Sequence, residues 1–216
     1  MTTPPAQPKI YHITHVGNLP DIVAGGRLAP DAEMVARGGP AQTIGMSGIK
    51  RRRIERIEVA CHPGTKVGDY VPFYFCPRSV MLYVIYCANH PDLAYRGGQE
   101  PILHLVADMH GVIRWAKASG VRWAFSLSNA GAYIAEFRAR EEELSEIDWN
   151  AVAAADFRQP DIKERKQAEF LVHGGFPFRL VERIGARSPA IRDRAVQALA
   201  GIGHAPAVEL HPEWYF

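Results

Sequence analysis

Cysteine is scarce in this 216-residue chain: Cys61, Cys76 and Cys87 are its three thiols, widely spaced and with no CxxC pair. An odd, scattered set argues against a disulfide frame or a cysteine zinc site, and points to reduced thiols in a cytoplasmic protein. The nine histidines are as dispersed, with no HExxH, so a metal enzyme is not expected. No apolar run approaches the roughly 18–20 residues that cross a bilayer, so no membrane partner is expected. Low-complexity tracts and internal repeats are missing too. Net charge is only +2, and bulk electrostatics therefore announce no nucleic acid. The opening segment lacks the basic start and apolar centre of a signal peptide. Residues 1–9 read as a disordered or extended leader, and 10–216 as one domain.

What is present is an ordinary globular composition, 47% hydrophobic and 22% charged, with enough chain for a sizeable core. Alternation predicts strands over 10–15, 69–76, 102–106, 122–127, 167–173 and 208–210. Pro72 inside the second of these implies an edge or a bulge. Helical spacing predicts a short helix after Asn18 that ends at Gly25-Gly26, a basic helix over 49–57, and helices over 79–88, 110–119, 179–184 and 190–200. Residues 30–48 read as a long glycine- and proline-rich loop, and 128–164 as broken helix with an acidic exposed face. Strands and helices mix without regular βαβ alternation, which predicts an α+β domain.

Charge is distributed more tellingly than its sum suggests. Lys50, Arg51, Arg52, Arg53 and Arg56 form one basic cluster, and Lys163, Arg165 and Lys166 form another. Such runs are usually solvated faces, but two that meet in space would make an anion-binding surface. Directly after the second cluster comes Gln167-Ala168-Glu169-Phe170-Leu171-Val172, a carboxylate inside an apolar strand. Glutamate is depleted in strands and costly to bury, so Glu169 needs a partner or a task. His12 in the first strand and the aromatics Phe73, Tyr74 and Phe75 are weaker signals, each commonly structural.

Together these segments are specific. Ile10-Tyr11-His12-Ile13-Thr14-His15 with Asn18-Leu19 is one of them. Another is Asp69-Tyr70-Val71-Pro72-Phe73-Tyr74-Phe75-Cys76-Pro77-Arg78-Ser79 with Met81-Leu82-Tyr83. Gly97-Gly98-Gln99-Glu100-Pro101-Ile102-Leu103-His104-Leu105, the Glu169 strand and the closing Trp214-Tyr215 complete the set. In order and spacing they resemble the DarT family of NAD-dependent DNA ADP-ribosyltransferases, the toxin halves of bacterial toxin–antitoxin pairs. The likeness runs from about Ile10 to the C-terminus.

That resemblance implies a single-domain ADP-ribosyltransferase fold, a split mixed β-sheet with an NAD cleft. It implies catalytic roles for Glu169 and Arg53, with Arg52 a competitor because the arginine run blurs the alignment. Glu169 would stabilise the electron-poor ribose left as nicotinamide departs. Arg53 would bind the pyrophosphate and support a deprotonating base, since a guanidinium is itself a poor base. His12, Ile13, Thr14, Asp21, Ala29, Arg53 and Tyr74 are the implied NAD contacts. For DNA they are Arg78, Met81, Asn129, Arg158, Lys163, Arg165 and Lys166, with Tyr133 or Phe157 stacking bases. Where relatives carry a histidine that handles the acceptor, this chain has Asn129, which can hydrogen-bond a base but cannot shuttle a proton. The implied reaction joins ADP-ribose from NAD, as co-substrate and without a metal, to thymine in single-stranded DNA. The implied partner is a macrodomain antitoxin, DarG-like. Two alternatives stay open: the same fold acting on protein or RNA or only hydrolysing NAD, and a non-catalytic single-strand-binding domain.

Overall fold

The computed structural model describes residues 3–216, so Met1 and Thr2 of the expected leader lie outside the described residues. The first half of the chain forms β1 (Lys9–His15), α1 (Leu19–Ala24), β2 (Arg27–Leu28), α2 (Asp31–Ala36), α3 (Ser47–Glu55), β3 (Tyr70–Tyr74), α4 (Val80–Cys87), β4 (Ile102–Asp108) and α5 (Met109–Ala118). The second half forms β5 (Trp123–Asn129), β6 (Phe137–Arg138), α6 (Trp149–Ala153), α7 (Pro160–Arg165), β7 (Ala168–His173), β8 (Phe176–Pro177), β9 (Arg183–Ala186), α8 (Pro189–Ala198) and β10 (Ala207–Leu210). No helix among the described residues is long and apolar enough to cross a membrane.

Eight strands make one sheet in the order β10-β9-β4-β1-β3-β7-β5-β6, and β2 pairs with β8 alone. Only β9 and β10 run parallel, so the sheet is mixed, as the α+β expectation required. Pairing is uneven across it. β1 and β4 are in register along their whole length, from Lys9 opposite Asp108 to His15 opposite Ile102. β1 and β3 share a single registered pair, Tyr11 opposite Tyr74. Proline explains the lapse. Pro72 has no N–H to give, so it cannot extend that ladder towards β1, and its carbonyl accepts a hydrogen bond from His12 Nδ1 at 2.8 Å instead. Pro72 therefore sits neither at an edge nor in a bulge. It marks an internal seam where the sheet splits.

Core packing fixes the strands on either side of that seam. Phe73, Phe125, Phe170 and Phe176 lie in the main apolar cluster, all essentially inaccessible. Leu82 and Ile85 of α4 pack with Ile13 and Ile102 in a second cluster, which seats α4 on the opposite face. α3 is placed by a close approach: a Cβ on Gly68 would lie 2.6 Å from Ile54 Cα. Glycine is needed there for space, because backbone meets backbone.

Three expectations fail. Residues 30–48 are not all loop, since α2 forms with Asp31 and Glu33 in its first turn, where the helix dipole favours acids. Glu33 also pairs with Arg27 at 2.5 Å and Arg37 at 2.6 Å, and Asp31 with Lys50 at 2.8 Å, tying α2 to β2 and α3. Residues 179–184 are a 3-10 turn leading into β9, because Ile184 is pinned opposite Leu105 of β4. The acidic segment is a 3-10 helix over Glu141–Glu146, its acids taken up by Arg138, Arg140 and Lys117.

Two outcomes test this packing. Gly68→Ala should lower stability by about 1–3 kcal/mol, read as a fall in the urea midpoint, because the added carbon overlaps main chain; an unchanged midpoint would show that α3 shifts freely. The second concerns His104, which is inaccessible in β4, contacts Pro77 O at 3.0 Å, and is pushed down by burial to about 4. The neutral ring is therefore the one the fold accepts. Stability is whole above the unfolded value of ~6.5 and is lost as pH falls from there through the folded value, by about 3 kcal/mol. His104→Gln should flatten that acid loss in melts across the same window, and an equally steep decline would assign it to other groups.

Candidate active site

Glu169 is the second residue of β7, directly opposite Tyr74 of β3 at the end of five registered pairs, and residues directly opposite each other share one face of the sheet. The carboxylate is 3% exposed and is met by Arg53 from α3. Two parallel hydrogen bonds join them, Nη1 to Oε1 at 3.0 Å and Nη2 to Oε2 at 2.8 Å. The Ala130 amide adds a third donor to Oε1 at 3.3 Å. This is the partner that a strand glutamate needs. Burial pulls the Arg53 guanidinium down, but the Glu169 charge and its hydrogen bonds more than offset that, so it sits above its ordinary value and stays charged. Each Nη keeps a further N–H that the carboxylate does not use.

The pair stands in the wall of a cavity of about 620 Å³ opened by the seam between β1 and β3. That volume is in the range typical of small-molecule sites, about 300–1,000 Å³. His12 enters from β1. Pro72 O can only accept, so His12 Nδ1 carries the proton and Nε2 is left as an acceptor. Burial holds its pKa below the usual histidine value, only partly countered by that carbonyl bond, and the ring is neutral at neutral pH. Tyr74 is pushed up, first by burial and then by the Glu169 charge, so its phenol stays protonated. The roof is the glycine-bearing segment between α2 and α3, with Gly38 and Gly39 at φ of 96° and 91°. Asn18 fastens it: its side chain donates to Gln42 O at 2.9 Å, and its Oδ1 accepts from Gln42 N at 2.8 Å.

The chain is similar to proteins of known activity. A family model described as "ssDNA thymidine ADP-ribosyltransferase, DarT" matches residues 11–216. A "DNA ADP-ribosyl transferase" from Thermus sp. (strain 2.9) is 37% identical over 217 residues, 99% of each chain. The chain belongs to the DarT family. Its fold superposes on Thermus sp. 2.9 DarT in complex with ADP-ribosylated ssDNA, with TM-score 0.88 and 36% identity, covering 100% of this chain and 99% of that one. The same Thermus DarT in complex with NAD+ matches at TM-score 0.81 and 35% identity over 99% and 100% of the two chains.

The DarT expectations for individual residues divide by location. His12, Ile13, Thr14, Asp21, Ala29, Arg53, Tyr74, Met81, Asn129 and Glu169 all line the one cavity. Within the arginine run, Arg53 faces Glu169, whereas Arg52 turns outward over the exposed Tyr133 ring at 5.3 Å. Asn129 is held, its Nδ2 donating to Gln167 Oε1 at 3.0 Å and its Oδ1 accepting from Gly131 N at 2.7 Å.

The expected DNA grip needs correction. Lys166 is buried at 3% exposure with Nζ donating to Val152 O at 2.7 Å, so it cannot reach a phosphate. Phe157 packs beneath that lysine and against Tyr83, which removes it as a base-stacking platform. Arg53 and Lys166 are both turned inward, which takes one cation out of each basic cluster. Arg158 is exposed but occupied by Asp156, Arg165 lies 3.9 Å from Asp148, and Lys163 is exposed. Arg78 rests over the Phe216 ring at 4.3 Å.

Sequence reading missed Gln167, although it shares the Glu169 face two residues earlier, and that period-two relation was the available signal. The Asn18–Gln42 clamp spans 24 residues with no local pattern to reveal it. Removing one partner of the central ion pair strands a buried charge. Arg53→Ala should therefore destabilise the fold by about 3–5 kcal/mol in denaturant titration, and the double change Arg53→Ala with Glu169→Ala should recover part of that loss. Simple additivity of the two single losses would mean that the pair does not act as a unit.

Proposed function

We propose that the chain transfers ADP-ribose from NAD to the N3 of thymine in single-stranded DNA, with Glu169 and Arg53 as its catalytic residues. The observation that carries this reading is the buried carboxylate of Glu169, clamped by Arg53 in a cavity that also holds a neutral histidine and a protonated tyrosine. Membership of the DarT family supplies the substrate class.

Each residue has a task that its chemistry suits. The Nε2 acceptor of His12 takes a ribose hydroxyl of NAD, and the flat ring of Tyr74 walls the nicotinamide. Ile13 and Thr14 offer backbone groups along the same edge, and Asp21 and Ala29 line the far part of the cavity. Glu169 stabilises the positive charge that develops at the ribose carbon as nicotinamide leaves with the bonding electron pair. Thymine N3 then forms the new bond to that carbon and gives up its proton to the carboxylate of Glu169. N3 is occupied by base pairing in a duplex, which favours a single strand with the base turned out of the stack.

Arg53 grips both oxygens of the carboxylate, and its spare N–H groups can donate to a phosphate or a base carbonyl. Asn129, with both ends of its amide engaged, positions the base by a remaining N–H and moves no proton. Met81 borders the same cavity and can wedge against the base. Arg78, Arg158, Lys163 and Arg165 lie on the outer approaches and attract the phosphate backbone, an interaction that weakens with salt. The family resemblance supports a cytoplasmic toxin held in check by a macrodomain antitoxin.

Labelled NAD offered side by side with thymine oligonucleotides, thymine-free oligonucleotides, RNA and protein should label only the first. Label on protein or RNA alone, or free ADP-ribose without transfer, would replace this acceptor with a rival. Glu169→Gln should cut turnover by at least a hundredfold while oligonucleotide affinity stays within a fewfold. Unchanged turnover would remove Glu169 from the catalytic machinery.

A further inference from the structure

A bulge interrupts the ladder beside Glu169. β5 and β7 are in register from Trp123 opposite Val172 to Phe125 opposite Phe170, then shift so that Asn129 faces Ala168. Extra residues of β5 are looped out there, and the main-chain carbonyl that would have accepted the Glu169 amide is displaced. A side chain takes its place. Ser126 Oγ accepts from Glu169 N at 3.0 Å and donates to Ser128 O at 2.6 Å, and the residue is wholly inaccessible. One hydroxyl thus closes the rung and holds the looped-out turn against the strand. The turn that follows directly after Asn129 carries Ala130, whose amide donates to the Glu169 carboxylate, and Gly131, whose carbonyl receives Arg52 at 3.4 Å.

We propose that Ser126 is a positioning residue for the reaction, acting through Glu169: its hydroxyl fixes the Glu169 backbone and, through the bulge, the amide that orients the carboxylate. The inference rests on the assignment of Glu169 as the catalytic carboxylate. Alanine removes the acceptor for a buried N–H and the donor to a buried carbonyl in one step, and water has no access to replace either. The backbone of β7 then relaxes at the residue whose carboxylate must be held within a fraction of an ångström. Ser126 does not itself line the cavity, so NAD binding should be largely spared.

The test is steady-state transfer to a thymine oligonucleotide with NAD affinity measured by calorimetry. Ser126→Ala should lower kcat about tenfold, with KM and Kd for NAD within twofold of the parent, and Ser126→Thr, which keeps the hydroxyl, should restore most of the rate. Unchanged kcat, a fall matched by an equal loss of NAD affinity, or equal losses in Ser126→Ala and Ser126→Thr would overturn the proposal. If the alanine variant does not fold, Ser126→Cys decides on the same readouts, because a thiol fills the space but accepts weakly. Glu169→Gln in the same assay separates two failures. Full activity in that variant removes the catalytic carboxylate itself, whereas its inactivity beside an unaffected Ser126→Ala removes only the role of Ser126.

Discussion

The buried ion pair between Arg53 and Glu169 is the constraint around which the rest of the molecule is arranged. A carboxylate at 3% exposure on a central strand is untenable without a cation, and a guanidinium at 8% exposure is equally untenable without an acid. Satisfying both requires α3 to lie against the face of β7, which the missing side chain of Gly68 permits. It also requires a donor from the opposite flank, which the bulge in β5 supplies through Ala130. Hydrophobic packing could hold these elements together in several ways. The pair selects the one in which the helix and the strand present their charges to each other.

A second constraint makes room for a ligand beside that pair. Sheets close unless something stops them, and Pro72 stops this one by withholding an N–H where β1 would otherwise zip along β3. The carbonyl left over is not wasted, because His12 uses it to fix its tautomer. One proline thus opens the cavity and orients an imidazole in its wall. The roof is built differently. Glycines let the segment between α2 and α3 fold over the cavity, and the two-point clamp of Asn18 on Gln42 keeps it there.

Much of this was legible from residues alone, because its signals are local. Period-two alternation located β1, β3, β4, β5 and β7, and the anomaly of a glutamate in an apolar strand singled out Glu169. Where local pattern was ambiguous the reading failed. Residues 179–184 have helical spacing, yet pairing with β4 draws the chain into β9. Lys166 has the look of a solvated lysine beside two other cations, but a carbonyl from α6 and an aromatic ring capture it. In the arginine run, one residue of register separates a catalytic candidate from a surface group.

By itself the sequence determined the fold class, through the periodicity and order of its elements, and its motifs carried the resemblance that implied the family and the residue types of the site. The tertiary structure alone decided which arginine meets Glu169, which lysine is lost to the interior, and how a serine in β5 completes the backbone of β7. Those outcomes depend on contacts between residues 14 to 116 positions apart. Their energies come from burial and from hydrogen-bond geometry, and neither is set until the strands have paired and water has been excluded.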